Sequence, residues 1–186
     1  MGTNAVNLGV GNAAGYFFHA PKGTALPASP LAELSEAWKE VGYVAQEGIT
    51  WHNGRTATPL KDWANKIRRQ LQEDSTGTVE VPIITTDAEV LKTLFGEENV
   101  VVTAANADHG NLVSIDVEEG VVSDEEAFLF LMKDGDDAMM LGTTNGLITD
   151  VADVNFAAAD AITWNGTISA DKWRFVKDDG QVVSGN

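Results

Sequence analysis

The chain has 186 residues, a length that favours one domain with a full hydrophobic core. It has no cysteine, which excludes disulfides, thiolate metal sites and cysteine nucleophiles. The formal net charge is −16 and lies almost entirely in residues 81–186, a field that repels phosphate and argues against attractive nucleic-acid binding. Solubility is one explanation of this charge, and a surface along which a polyanion moves without sticking is the other.

The first residues are not expected to form a targeting signal. "MGTNAVNLGVGN" lacks the basic residue and the apolar core of a secretory signal, and Val6 stands where a myristoylation motif needs Ser or Thr. No apolar run is long enough to span a bilayer. We therefore expect a soluble protein made in a cytoplasm.

Residues 1–30 are predicted to form an extended arm, and residues 31–186 a single domain. The stretch "HAPKGTALPASP" (19–30) has three prolines and follows a glycine-rich start, so it suits neither helix nor strand. Ser29 and Pro30 then resemble an N-cap and a first helical residue. With apolar residues at helical spacing, they predict a short helix over about 30–41.

The next segments alternate between strand and loop patterns. "YVAQEGITW" (43–51) is predicted as a strand and "HNGRTATPLKDW" (52–63) as a loop. "IRRQLQEDSTGTVEVPIIT" (67–85) is predicted as a hairpin of two long strands. In its second strand one face holds only apolar residues: Val79, Val81 and Ile83.

The clearest helix signal covers about 86–95. "TDAE" predicts a capping box in which Thr86 is the N-cap and Glu89 reaches back. Gly96 ends the helix. The apolar stripe consists of Val90, Leu91, Leu94 and Phe95.

From residue 99 onward the pattern is strand and turn. "AFLFLMK" has two rows of large apolar side chains, which predicts a strand buried on both faces. Turn signals about every 8–12 residues favour an antiparallel β-sandwich or barrel. The predicted strands are 99–104, 112–117, 127–133, 138–144, 146–156, 161–170 and 172–177.

No chemical site is predicted. The glycines of residues 9–15 have the wrong spacing for a dinucleotide loop, and residues 134–137 lack the later ligands of a calcium loop. The histidines are far apart in loop-like segments, and no nucleophile, base and orienting group come together. We expect no catalytic residue, no cofactor and no metal.

Three stretches carry a family resemblance: "GYFFHAPKGTALPASP", "EVGYVAQEGITW" and "LKDWANKIRRQLQEDSTGTVEVPIITTDAEVLKTLFGEENVVV". In order and spacing they resemble the major tail proteins, the tail tube subunits of long-tailed bacteriophages of the siphovirus type. The resemblance covers residues 9–103 and thins to a general strand layout over 104–186.

This resemblance implies a tail-tube β-sandwich with a helix on its flank, located in the virion. It implies hexameric rings that stack into the hollow tube through which DNA is ejected without specific binding. The implied partners are other copies of the chain, the tape measure protein, the tail terminator and the distal tail proteins.

Two sets of site residues follow as expectations. Lumen-facing candidates lie on or near the predicted hairpin 67–85, our candidate for the inner barrel: Glu73, Asp74 and Glu80. Inter-subunit contacts are expected from the arm, the edge tryptophans and the basic loop: Tyr16, Pro21, Leu26, Pro27, Trp51, Arg55, Lys61 and Trp63.

Other functions stay open at this point. One is a monomeric acidic β-sandwich that binds a glycan or a protein through its tryptophans. Another is a small hydrolase that uses the carboxylates of residues 116–119. A third, within the tail, is a tail-end or baseplate ring protein of the same fold.

Overall fold

The computed structural model describes residues 17–54, 56–74, 76–117 and 123–180. Within these ranges the chain is mainly antiparallel β with one α-helix, as predicted. The helix is α1 (Ala88–Phe95), and a 3-10 turn covers Glu97–Asn99. The strands are β1 (Phe17–Pro21), β2 (Lys39–Gly42), β3 (Thr50–Asn53), β4 (Thr56–Lys61), β5 (Ile67–Asp74), β6 (Gly77–Ile83), β7 (Val100–Thr103), β8 (Leu112–Ile115), β9 (Glu126–Asp134), β10 (Asp137–Val151), β11 (Trp164–Ala170) and β12 (Arg174–Asp178).

Eight strands form the main sheet, in the order β2-β1-β9-β10-β11-β6-β3 with β12 paired on β10. The first half of β10 pairs with β9 and β12, and residues 147–151 pair with β11. The register with β9 shifts between Thr143 and Gly146. We predicted two strands here with a turn between them; the strand instead continues through a bulge, which bends it from one layer into the other.

The sheet closes on itself where the chain leaving β2 meets β6. Val44 forms an antiparallel bridge with Ile83. The N–H of Ile84 donates to the carbonyl of Tyr43 at 2.9 Å, and the N–H of Ala45 donates to the carbonyl of Pro82 at 2.8 Å. The molecule is therefore a β-sandwich whose two layers are joined through β10 and through the contact of residues 43–45 with the end of β6.

The main core lies between the two layers and under α1. Val79, Val81 and Ile83 of β6 are completely buried on one face, which confirms the predicted alternation. Phe17 stacks on Phe130 with ring centroids 4.6 Å apart. The other buried members include Val41, Val90, Leu91, Leu94, Phe128, Leu141, Ile148, Trp164 and Ile168.

A second core covers the opposite face of β1, β9 and β10. β9 is thus buried on both faces, as predicted. The cover is the irregular segment 22–38, whose apolar side chains pack on the sheet: Leu26, Leu34 and Trp38.

The short helix predicted over 30–41 does not form. The segment has turns and then β2, which pairs with β1. The Ser29 hydroxyl donates to Asp178 at 2.6 Å and accepts from the N–H of Leu31, so it does not cap a helix. Packing on the second core and pairing with β1 override the local helical spacing.

α1 forms within the predicted range, but its cap lies one residue further along. Asp87 accepts a hydrogen bond from the N–H of Val90 at 3.0 Å. Thr86 instead accepts one from the indole N–H of Trp164, and Glu89 contacts His19. The predicted capping box is therefore wrong, because both of its side chains are engaged in tertiary contacts. Gly96 ends the helix with φ 91°, as predicted.

The stretch predicted as an arm over residues 1–30 contains a core strand. β1 lies between β2 and β9 in the main sheet, so residues 17–21 are not an arm. The segment "FFHA" was not predicted as a strand because it is short and a proline follows it. Residues 1–16 lie outside the described part of the chain.

The hairpin predicted over 67–85 is wrong in its pairing. Both strands form, as β5 and β6, but β5 pairs with β4 and β6 pairs with β11 and β3. β4 lies in the stretch predicted as the loop 52–63. A proline in its middle masked it, and a two-stranded ribbon tolerates that proline because each strand is an edge.

Candidate assembly surfaces

Within the described residues, one layer of the sandwich has an outer strand on each side that pairs with no further strand, although the Ser123 hydroxyl donates to the Ile148 carbonyl at 3.2 Å on one of these edges. We call this layer the four-stranded layer: β3, β6, β11 and residues 147–151 of β10. Among the described strands, β3 pairs only with β6, and the 147–151 segment pairs only with β11. Open edges present unpaired backbone groups that are ready to pair with another chain.

The outward face of this layer is polar. Its side chains alternate with the buried core residues of the same strands, so the pleat places them away from the core. Glu80 and His52 lie on it with 3.3 Å between the carboxylate and the imidazole Nε2. The four segments contain no Lys or Arg. The other polar members include Thr50, Thr78, Asp150, Asn165, Thr167 and Ser169.

β4 and β5 form a separate two-stranded sheet, which we call the basic ribbon. Two hydrogen bonds hold its turn: Asp62 accepts from the backbone N–H of Lys66 at 2.9 Å and from the side chain of Arg68 at 2.6 Å. These two bonds hold the pKa of Asp62 below its ordinary value, and the bond from Lys66 has the larger effect. Asn65 takes the left-handed conformation, φ 62°, that Asn tolerates in turns.

The tip of the basic ribbon, residues 60–69, exposes both apolar and basic side chains. Trp63 is fully exposed, and Leu60 and Ile67 are more than half exposed. Lys61, Lys66 and Arg69 are exposed as well, and no ion pair within the described residues involves them. This is the composition of an interface anchor with a charged surround.

β7 and β8 form a second separate ribbon. We call residues 97–117 the acidic ribbon, because they hold four acidic residues and no Lys or Arg. Its base is fixed to the main core through Val100, which is buried, and Ile115. Beyond the base, large apolar side chains remain exposed: Val101, Val102, Leu112 and Val113.

The predicted contact residues fall in different places. Lys61 and Trp63 come together on the basic ribbon, and Trp51 lies on the open strand β3 with 40% of its surface exposed. The described contact candidates of the predicted arm belong to the chain's own fold. Pro21 is the exposed end of β1, Pro27 is half-buried, and Leu26 packs on the second core. Tyr16 and Arg55 lie outside the described residues.

The lumen candidates are not brought together. Glu80 is on the outward face of the four-stranded layer. Glu73 and Asp74 belong to β5 in the basic ribbon, and their side chains are not among those described.

The sequence reasoning missed a buried ionic cluster around His19. This side chain, 7% exposed, reaches Glu126 through Nδ1 and Glu89 through Nε2, each at 2.9 Å. Burial by itself lowers the pKa of His19, but the bonds and charge of Glu126 and then Glu89 outweigh it and raise that pKa. The pattern of β1, with His19 between Phe18 and Ala20, was the available signal.

No group of His, Asp or Glu among the described residues is arranged to hold a metal ion. None of the described helices has the length and apolarity needed to cross a membrane.

Comparison with known proteins gives one family. A family model described as phage tail tube protein matches residues 1–170. No curated protein matches the sequence. Among solved structures, the cryo-EM structure of the anti-feeding prophage cap (AFP tube terminating cap) is similar with 10% identity and a TM-score of 0.42, over 95% of this chain and 97% of that one. A likeness at this level carries no argument about function.

Proposed function

The chain belongs to the family of phage tail tube proteins, and on that premise we propose that six copies close into a ring through the open edges of the four-stranded layer. Such rings stack into the hollow tube through which the phage DNA is ejected. The protein is a structural component of the virion tail and not an enzyme.

The proposed ring is supported by the relative direction of the two edge strands. β3 is antiparallel to β6, β6 to β11, and β11 to β10, so β3 runs opposite to the 147–151 segment. When β3 of one copy lies beside this segment of the next, the pairing is again antiparallel. Repetition around a symmetry axis leaves no edge unpaired.

A closed barrel of this kind is wide. Each copy contributes four strands, so a ring of six contains about 24, and barrels of about 16–18 strands already enclose an aqueous channel. The sandwich core and α1 lie on the other side of the four-stranded layer. In this arrangement its polar face lines the lumen.

The chemistry of that face suits the passage of DNA. A lumen with Lys or Arg would bind phosphates and release counterions, which holds nucleic acid in place. The strands of the four-stranded layer have neither residue, and Glu80 adds a negative charge beside the imidazole of His52. DNA therefore meets a hydrated and weakly repulsive wall.

A substitution of Trp51 tests whether the edge of β3 forms the ring contact. Trp51→Lys places a charge at the open edge that we assign to the ring contact, a device that blocks strand addition. Phe175→Lys is the matched control, because Phe175 is 50% exposed on β12, an edge strand of the other layer.

We expect Trp51→Lys to give folded monomers in sedimentation velocity and electron microscopy. Phe175→Lys and the wild type are expected to form rings and tubes. Rings from Trp51→Lys would refute the edge assignment. A wild-type chain that stays monomeric at every concentration would favour a monomeric binding module, and rings that stop at one layer would favour a tail-end ring protein.

Contacts with the tape measure protein, the tail terminator and the distal tail proteins belong to the same proposal. They would engage the last rings of the tube, where one face of the stack is unoccupied.

A further inference from the structure

We propose that the tip of the basic ribbon docks on the acidic ribbon of a copy in the adjacent ring. This inference rests on the proposed ring and names the surfaces that join one ring to the next.

The tip is built to contact something outside its own chain. Trp63 has no cover within the described residues, and Leu60 and Ile67 flank it on the same ribbon. The turn beneath it is held by the bonds that Asp62 accepts from Lys66 and Arg68. A tip that is ordered before binding loses little conformational entropy when it docks.

The acidic ribbon offers the complementary surface. Its four exposed apolar side chains lie on two faces: Val102 and Val113 are cross-strand partners on one face, and Val101 and Leu112 lie on the other. The pair Val102 and Val113 matches the apolar part of the tip. Between residues 97 and 126 the chain has nine acidic residues and no Lys or Arg, whereas residues 60–69 have four basic residues and one acidic. Charge complementarity of this kind sets orientation and suppresses contacts between like surfaces.

The reach of the basic ribbon favours the adjacent ring over a neighbour in the same ring. β4 has six residues and spans about 20 Å at roughly 3.4 Å per residue. It starts beyond the end of β3, which the ring contact already occupies. The tip therefore lies well past the edge that pairs within the ring.

Cysteine cross-linking tests the contact directly, since the chain has no cysteine of its own. Two single variants, Trp63→Cys and Val113→Cys, are mixed, assembled and oxidised. We expect a disulfide-linked heterodimer in the tubes. The control mixture pairs Trp63→Cys with Ala32→Cys, an exposed position on the segment that covers the second core, and should give none.

Charge reversal separates stacking from ring formation. The double variant Lys61→Glu/Arg69→Glu is expected to form rings of six chains that do not stack. Adding Glu98→Lys and Asp116→Lys in the same chain takes the acidic ribbon from four net negative charges to none, which removes the repulsion and should restore tubes.

The outcomes distinguish the two proposals. Normal tubes from Lys61→Glu/Arg69→Glu, or no Trp63–Val113 cross-link within well-formed tubes, would overturn the docking proposal and leave the ring intact. A wild-type chain that forms no rings would instead contradict the proposed function.

Discussion

The imidazole Nδ1 of His19 lies 2.9 Å from a carboxylate oxygen of Glu126, and this pair joins β1 to β9 inside the fold. The other ring nitrogen meets Glu89 of α1 at the same distance. Both neighbours are acceptors, so the imidazole fits best as a cation that donates two hydrogen bonds. The cluster ties the helix to the sheet, with Lys39 from β2 at 3.6 Å from Glu89.

Stability should depend on pH through this cluster. The pKa of His19 is raised above its ordinary 6.5, so its contribution is complete below that pH and is lost as the pH rises through the folded value. Burial raises the pKa of Glu89, but His19, Lys39 and Lys92 outweigh it and hold that pKa below its ordinary 4.5. The contribution of Glu89 is therefore present above pH 4.5 and is lost as the pH falls through the folded value.

His19→Gln tests this dependence. Loss of two charge-assisted bonds should lower the free energy of unfolding by about 1–3 kcal/mol at pH 6. The difference from wild type should shrink at pH 9, where the wild-type imidazole is more often neutral. Urea denaturation at both values measures it, with His109→Gln in an exposed turn as the control. An equal loss at pH 6 and pH 9 would contradict a charged His19.

The N-cap of α1 gives a second prediction. Asp87→Ala removes the acceptor for the N–H of Val90 and should destabilise the fold by about 1 kcal/mol. Asp87→Asn keeps a capping oxygen and should retain most of the stability. Thermal unfolding followed by circular dichroism compares the two, and equal melting temperatures for both variants would argue against the cap.

The bulge of β10 gives a third prediction. A Cβ at Gly146 would lie 2.9 Å from Phe128 Cδ2 and 3.0 Å from Thr143 Cγ2 in the core. Gly146→Ala should therefore destabilise the fold by about 1–3 kcal/mol. Gly110→Ala is the matched control, since nothing lies within 4 Å of its added carbon. Similar denaturation midpoints for the two variants would show that the bulge has room.

The assignment of Glu80 to the lumen gives a fourth prediction. Glu80→Lys places a cation on the outward face of the four-stranded layer, where it would attract phosphate. Tubes should form normally, and DNA ejection from phage that carry the variant should be slower. Glu33→Lys, on the exposed segment over the second core, is the control. Unchanged ejection with Glu80→Lys would remove this residue from the lumen.

The sequence patterns correctly predicted which side chains are buried where the apolar residues recur regularly within one strand or helix. The alternation of Val79, Val81 and Ile83 identified the core face of β6, and the double apolar row of β9 indicated burial on both faces. The apolar stripe of α1 and Gly96 at its end were readable for the same reason.

Long-range pairing was beyond these patterns. β5 and β6 follow one another closely, yet β6 pairs with β11, about 85 residues further along, because their apolar faces complete one core. His19 was likewise unreadable, since Glu89 and Glu126 are distant in sequence and meet it only when α1 packs on the sheet. Trp63 was expected as a contact from the family resemblance, and its place at the tip of a ribbon needed the fold.

The mass and shape of the purified assembly test the proposed ring and tube. We expect native mass spectrometry to find a ring of six 19.8 kDa chains, and electron microscopy to show hollow tubes built from such rings. A single chain at every concentration, even with tail initiator present, would contradict the account.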